Sequence, residues 1–198
     1  FARAAFEFAE FSTNHVQRAV IAQQGIQACR EVLARGVREA PVHHYLAMNL
    51  GQLARTRSLG ALRIVDEMER EFKMARALDE HLDHAGPDRN LGLLYLEAPR
   101  IGSIGNRSKA RQHLLRAVEL APDFPENRLS FAEACLRWTE FHLARRELKA
   151  LEELWPAARA KFSGQNWEAS WMEWESRLER LREGLAEHPR REGSRGKD

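Results

Sequence analysis

The chain has 198 residues, enough for one domain or one continuous stack of repeats that buries roughly 70% of its unfolded surface. Apolar residues make up 43% and charged residues 30%, which excludes a disordered polymer. With 31 basic against 29 acidic residues the net charge is +2, too weak a field to draw in nucleic acid or an acidic membrane.

Apolar residues recur at spacings of three and four, and alternating apolar–polar stretches are missing, so the sequence predicts helices and no sheet. Residues 1–11 (FARAAFEFAEF) read as a leading helix, with Ser12, Thr13 and Asn14 supplying cap residues for the next. Residues 14–41 predict a first helix pair with a turn near Gln24 and Gly25. Residues 42–84, 85–122 and 123–156 predict three more pairs, and residues 166–187 a long final helix that caps the stack. The charged, glycine-containing stretch 189–198 is expected to be a disordered tail. No apolar run approaches a membrane span; Leu93 to Leu96 is typical of the longest. The chain begins at Phe1 without Met, and a removed leader is one explanation; it favours a periplasmic over a cytoplasmic location. Cys29 and Cys135 sit inside apolar-periodic segments and read as buried structural thiols.

An internal period organises the second half. Ala110, Leu114, Ala117 and Pro122 share their spacing with Ala144, Leu148, Leu151 and Pro156, and each equivalent pair lies 34 residues apart. In each set a small residue lets two helices approach closely, and a proline is expected to end the helix. In this the chain resembles the tetratricopeptide-repeat family, over about residues 14–156. Leu50-Gly51 fits the family's Leu-Gly pair, Leu91-Gly92 with Tyr95 its Gly-x-x-Tyr spacing, and Phe72, Ala75, Leu78 and Asp79 the end of a second helix. Phe131, Ala132 and Cys135 occupy first-helix positions of the last unit, with Cys135 in place of Tyr. The resemblance implies an all-α superhelical stack of antiparallel helix pairs, an α-solenoid, in which no pair buries its apolar face alone. Two units exceed the family's length, one by residues within Arg55–Gly60 and one by residues within the segment Glu97–Ser108; such insertions fall on loops of one face, where binding concentrates.

Candidate chemistry is sparse. His81 and His84, with Glu80 and Asp83, form an H-x-x-H at a helix end, but no third ligand stands at a supporting spacing. His43 and His44 are adjacent and point to different faces. The Ile101–Gly105 segment lacks the strand and the Gly-Lys-Ser/Thr ending of a phosphate loop, and a loop capped by Asn106 or Ser108 fits better. Trp167, Trp171 and Trp174 form a stripe that reads as core, with an exposed docking face as the alternative. No Ser-His-Asp set, Cys-His pair or carboxylate dyad is supported by spacing, so no catalytic residue, cofactor or metal is assigned.

The function expected from the resemblance is non-enzymatic: an adaptor or scaffold subunit that binds another protein or peptide in a concave groove and through the 97–108 loop. The family's peptide-contacting positions carry over to Tyr45, Met48, Gln52 and Arg55, to Arg89, Leu93 and Leu96, and to Leu129, Glu133, Leu136 and Arg137. Asn49 and Asn90 resemble the asparagines of members that clamp a C-terminal carboxylate. Gln52 and Met48 replace two other clamp residues, so binding of chaperone tails is not expected. The long loop followed by Lys109-Ala110 also resembles the T-component of TRAP-type solute transporters, whose helical-repeat proteins handle ligands in the periplasm; a through-going apolar channel would favour that reading.

Overall fold

The computed structural model describes residues 1–57 and 61–188. The expected tail at 189–198, and the last part of the 55–60 insertion, lie outside the described residues. All regular structure among the described residues is helical: α1 (Ala2–Phe11), α2 (His15–Ala34), α3 (Ala40–Ala54), α4 (Ala61–Leu78), α5 (Leu82–Glu97), α6 (Arg107–Leu120), α7 (Pro125–Arg137), α8 (Phe141–Lys161) and α9 (Glu168–Ala186), the last preceded by a single 3-10 turn at Gln165–Trp167. The chain divides into two units, one ending at Ala121 and one starting at Pro122.

In the first unit each helix packs against the next from α1 to α6, and α1 also lies on α3. Asn14 caps α2 by accepting from the amides of Val16 (2.8 Å) and Gln17 (3.3 Å), and Asn106 caps α6 by accepting from Lys109 (3.0 Å). Pro41 sits in the first turn of α3, where its missing N–H would have no helical partner. The core joins Ala22, Ile26 and Cys29 of α2 to Leu46, Leu50 and Leu53 of α3 and Ile64 of α4. Burial holds the Cys29 thiol up at about 11, which keeps it protonated and inert.

Two boundary expectations are corrected. Residues 15–34 form one uninterrupted helix, so there is no turn at Gln24 and Gly25. Gly25 is buried, and a side chain there would run into the Asn49 amide of α3; it is small because a neighbour is close. Pro156 does not end its helix, since α8 continues to Lys161. Pro156 is exposed, so the strain of its ring against the preceding turn falls on the solvent side of the helix.

In the second unit α7 packs on α8 and α9, and α8 on α9. Trp171 and Trp174 are 4% and 2% exposed, so both belong to the core. Phe124, Phe162, Trp167, Trp171 and Trp174 meet edge-on or tilted at 4.9–6.1 Å between ring centres. The Trp171 indole donates to the Phe162 carbonyl (2.5 Å).

The positions that define the period are largely interior. Ala110, Leu114 and Ala117 of α6, and Ala144 and Leu151 of α8, have no exposed surface; Leu148 is half-buried. Gly92 of α5 faces Leu114: an added Cβ would stand 2.6 Å from its Cγ and 3.0 Å from its backbone nitrogen. Because the backbone cannot yield as a side-chain tip can, Gly92→Ala is expected to destabilise the protein by about 1–3 kcal/mol. A urea denaturation curve checks this, and an unchanged midpoint would mean that α5 and α6 do not approach so closely.

Candidate functional site

The positions carried over from the helical-repeat resemblance fall into different settings. Gln52, Arg89 and Leu129 are 3%, 4% and 0% exposed, so they lie within the packing and present no binding surface. Tyr45, Met48, Leu93, Leu96, Glu133 and Leu136 are half-buried, and Arg55 and Arg137 are exposed. The side of α3 expected to face a partner instead faces α1. Asn49 donates to the Ala2 carbonyl (2.9 Å), Gln52 donates to the Glu10 carboxylate, and Arg55 pairs with the same carboxylate (3.1 Å). Asn49 also donates to the Tyr45 carbonyl (2.7 Å), so its NH2 group is spent internally rather than held ready as a clamp. In the second unit Glu133 takes a two-pronged contact from Arg177 (3.0 and 2.7 Å).

Arg89 braces an unusual turn. Asp83, His84 and Ala85 all adopt left-handed backbone angles (φ 50°, 54° and 63°), each unfavourable by about 1–2 kcal/mol for a residue with a Cβ. The Arg89 guanidinium donates to the Asp83 carboxylate (2.9 Å) and to the carbonyls of Asp83 and His84 (3.3 Å each). It thereby satisfies acceptors that the turn strips of helical partners. Right-handed helix resumes at Gly86, whose Cβ, if present, would meet the His44 ring at 3.1 Å.

His44 is 1% exposed, stands edge-on to Phe72 (5.7 Å) and Tyr45 (5.3 Å), and neither ring nitrogen makes a hydrogen bond. Burial pushes its imidazole from 6.5 down to about 4; the Asp83 carboxylate, 3.9 Å away, opposes that shift and Arg89 adds to it. His81 is exposed on the surface, and no group of three or more His, Cys, Asp or Glu side chains among the described residues is placed to hold a metal ion.

One concavity lies away from every position carried over from the resemblance. A groove of about 840 Å³ opens in the first unit between α2, α3 and α4, beside Phe1. Ile26, Leu50, Leu53 and Ile64 form its apolar floor, and Gln23, Gln24 and Gln27 of α2 line one wall. Arg30, paired with Glu67 (2.7 Å), and Arg57 stand at its rim. Arg57 makes no side-chain hydrogen bond or ion pair among the described residues. The one sequence signal was a row of three glutamines on a helix whose inward positions are small or apolar. The inserted loop runs from Ala98 to Asn106 and is closed by hydrogen bonds from Gly105 N to the Pro99 carbonyl (3.1 Å) and from Asn106 N to that of Tyr95 (2.9 Å). It presents Ile101, 93% exposed.

No family model matches the chain, and no curated protein matches it. Among the described residues no helix is long and apolar enough to cross a membrane.

His44 supplies a pH test. Its folded value lies below its unfolded one, so its neutral form stabilises the fold fully above pH 6.5. That stability is lost as pH falls towards 4, when the unfolded chain takes up a proton that the folded chain refuses. The full difference is about 3 kcal/mol at 1.36 kcal/mol per pH unit. Urea midpoints measured from pH 7 to pH 4 should fall further for the wild type than for His44→Leu; equal slopes would contradict a neutral, buried His44.

Proposed function

We propose that the chain is a non-catalytic binding module that holds a segment of another protein in the groove between α2, α3 and α4. The groove itself carries this reading. Its volume lies within the range of about 300–1,000 Å³ typical of ligand sites, and it combines an apolar floor with a few polar groups at the edge. The glutamine amides offer both donors and acceptors, which suits a peptide main chain, while Arg57 suits a carboxylate near an apolar side chain. All but two of the lining residues stand on helices, so the surface is preformed. The resemblance to tetratricopeptide repeats agrees with a protein-binding role, and the exposed Ile101 of the 98–106 loop offers a second contact. The transporter-accessory reading calls for a through-going channel, whereas this groove opens to solvent.

A photo-crosslinking residue placed at Gln24, exposed on the groove wall, should capture a discrete protein from the native source. The same residue at Met172, 73% exposed on α9, should not. Adducts at Met172 and none at Gln24 would move the binding surface away from the groove.

A further inference from the structure

Helix α1 carries apolar residues on its exposed side as well as on its buried side. Its small residues face inward: Ala5 and Ala9 are 5% and 0% exposed, and Ala2 packs against the core of the first unit. Phe6 is half-buried, but the other large residues face outward: Phe1, Phe8 and Phe11 are 79%, 72% and 74% exposed. Val16 of α2, 73% exposed, adds to the apolar surface beyond the end of α1. A helix apolar on two opposite sides is built to be covered on both. The outward residues Phe1, Ala4, Phe8 and Phe11 follow spacings of three, four and three, which is the seam of a two-helix coil.

We propose that this face binds the same face of a second copy of the chain, α1 against α1, running antiparallel about a two-fold axis. Size complementarity selects the direction. Antiparallel pairing sets Ala4 of one copy against Phe8 of the other, small against large, and Phe1 against Phe11. Parallel pairing would set Ala4 against Ala4 and leave a gap. Charge agrees. The basic residue Arg3 lies in the first turn and Glu10 in the last, so antiparallel pairing brings opposite signs together and opposes the helix dipoles. No charge on the helix lacks a partner within its own chain: Arg3 holds Glu7 (2.8 Å) and Arg55 holds Glu10 (3.1 Å), so covering the face strands none of them. A two-fold contact of this kind closes on itself and needs no second patch. It shares Phe1 with the edge of the groove, whose floor and wall come from α2, α3 and α4, so Phe8 and Phe11 are the residues that belong to this face alone.

Sedimentation equilibrium of the full chain is expected to show twice the chain mass, dissociating on dilution as mass action requires. Phe8→Glu is expected to return the chain mass at the same concentrations with an unchanged circular dichroism spectrum, since Phe8 lies outside the core. A chain that is monomeric at every concentration overturns the proposal and leaves the face to a different partner; so does a dimer that Phe8→Glu leaves intact. Orientation is read on otherwise wild-type chains: tagged Ala4→Cys mixed with untagged Phe8→Cys and mildly oxidised should yield mostly mixed disulfide dimers. Predominant like-with-like dimers would overturn the antiparallel arrangement.

Discussion

The Asp88 carboxylate is the point on which the second half of the first unit depends. It has no exposed surface, sits on α5, and is approached by His113 Nδ1 at 2.7 Å and Arg116 Nε at 3.5 Å from α6, and by Arg76 Nε at 3.0 Å from α4. A charge taken fully out of water is costly by several kcal/mol unless it is paired, so the three helices must hold a register in which all these contacts exist together. The network extends from there. His113 stacks on Tyr95 (5.5 Å), and the Tyr95 hydroxyl donates to Glu69 of α4 (2.5 Å), which Lys73 also contacts. Burial and that carboxylate together push the phenol well above its ordinary value, so it stays a donor. A polar seam thus runs beside the apolar contact of Gly92 with Leu114, and the two specify the same packing of α5 on α6.

Around that seam the first unit closes its open backbone positions with buried side chains. Arg89 holds the left-handed turn that separates α4 from the right-handed part of α5, and Asn49 ties α3 to the start of α1. The consequence for function is that the face of α3 expected to receive a partner is occupied by α1. Under the binding role proposed above, the surfaces left for recognition include the groove between α2, α3 and α4 and the outer side of α1.

Much of the helical content and of the buried pattern was legible in the sequence, because small-to-large spacing within one helix is local information. Ala110, Leu114, Ala117, Ala144 and Leu151 needed only their own neighbours to be read as interior. Gly25 was misread because glycine marks both a turn and a close approach, and the two differ only in whether Asn49, 24 positions away, folds back against it. Pro156 was misread because the cost of an interior proline depends on which way its ring faces. The buried state of Gln52 and Arg89 depends on where α1 and the 83–85 turn lie, which no local spacing encodes. The inward alanines and outward phenylalanines in residues 1–11 were the available clue that this helix is apolar on its outer as well as its inner side.

Whether the buried Asp88 carboxylate locks α4, α5 and α6 together is read from urea denaturation of Asp88→Asn. The substitution keeps the shape and removes the charge from hydrogen bonds that are worth about 1.5–3 kcal/mol each when charged. Arg76 and Arg116 retain some exposure and so relax part of the loss, leaving an expected destabilisation of about 2–3 kcal/mol. An unchanged unfolding midpoint would show that the helices hold their register without it.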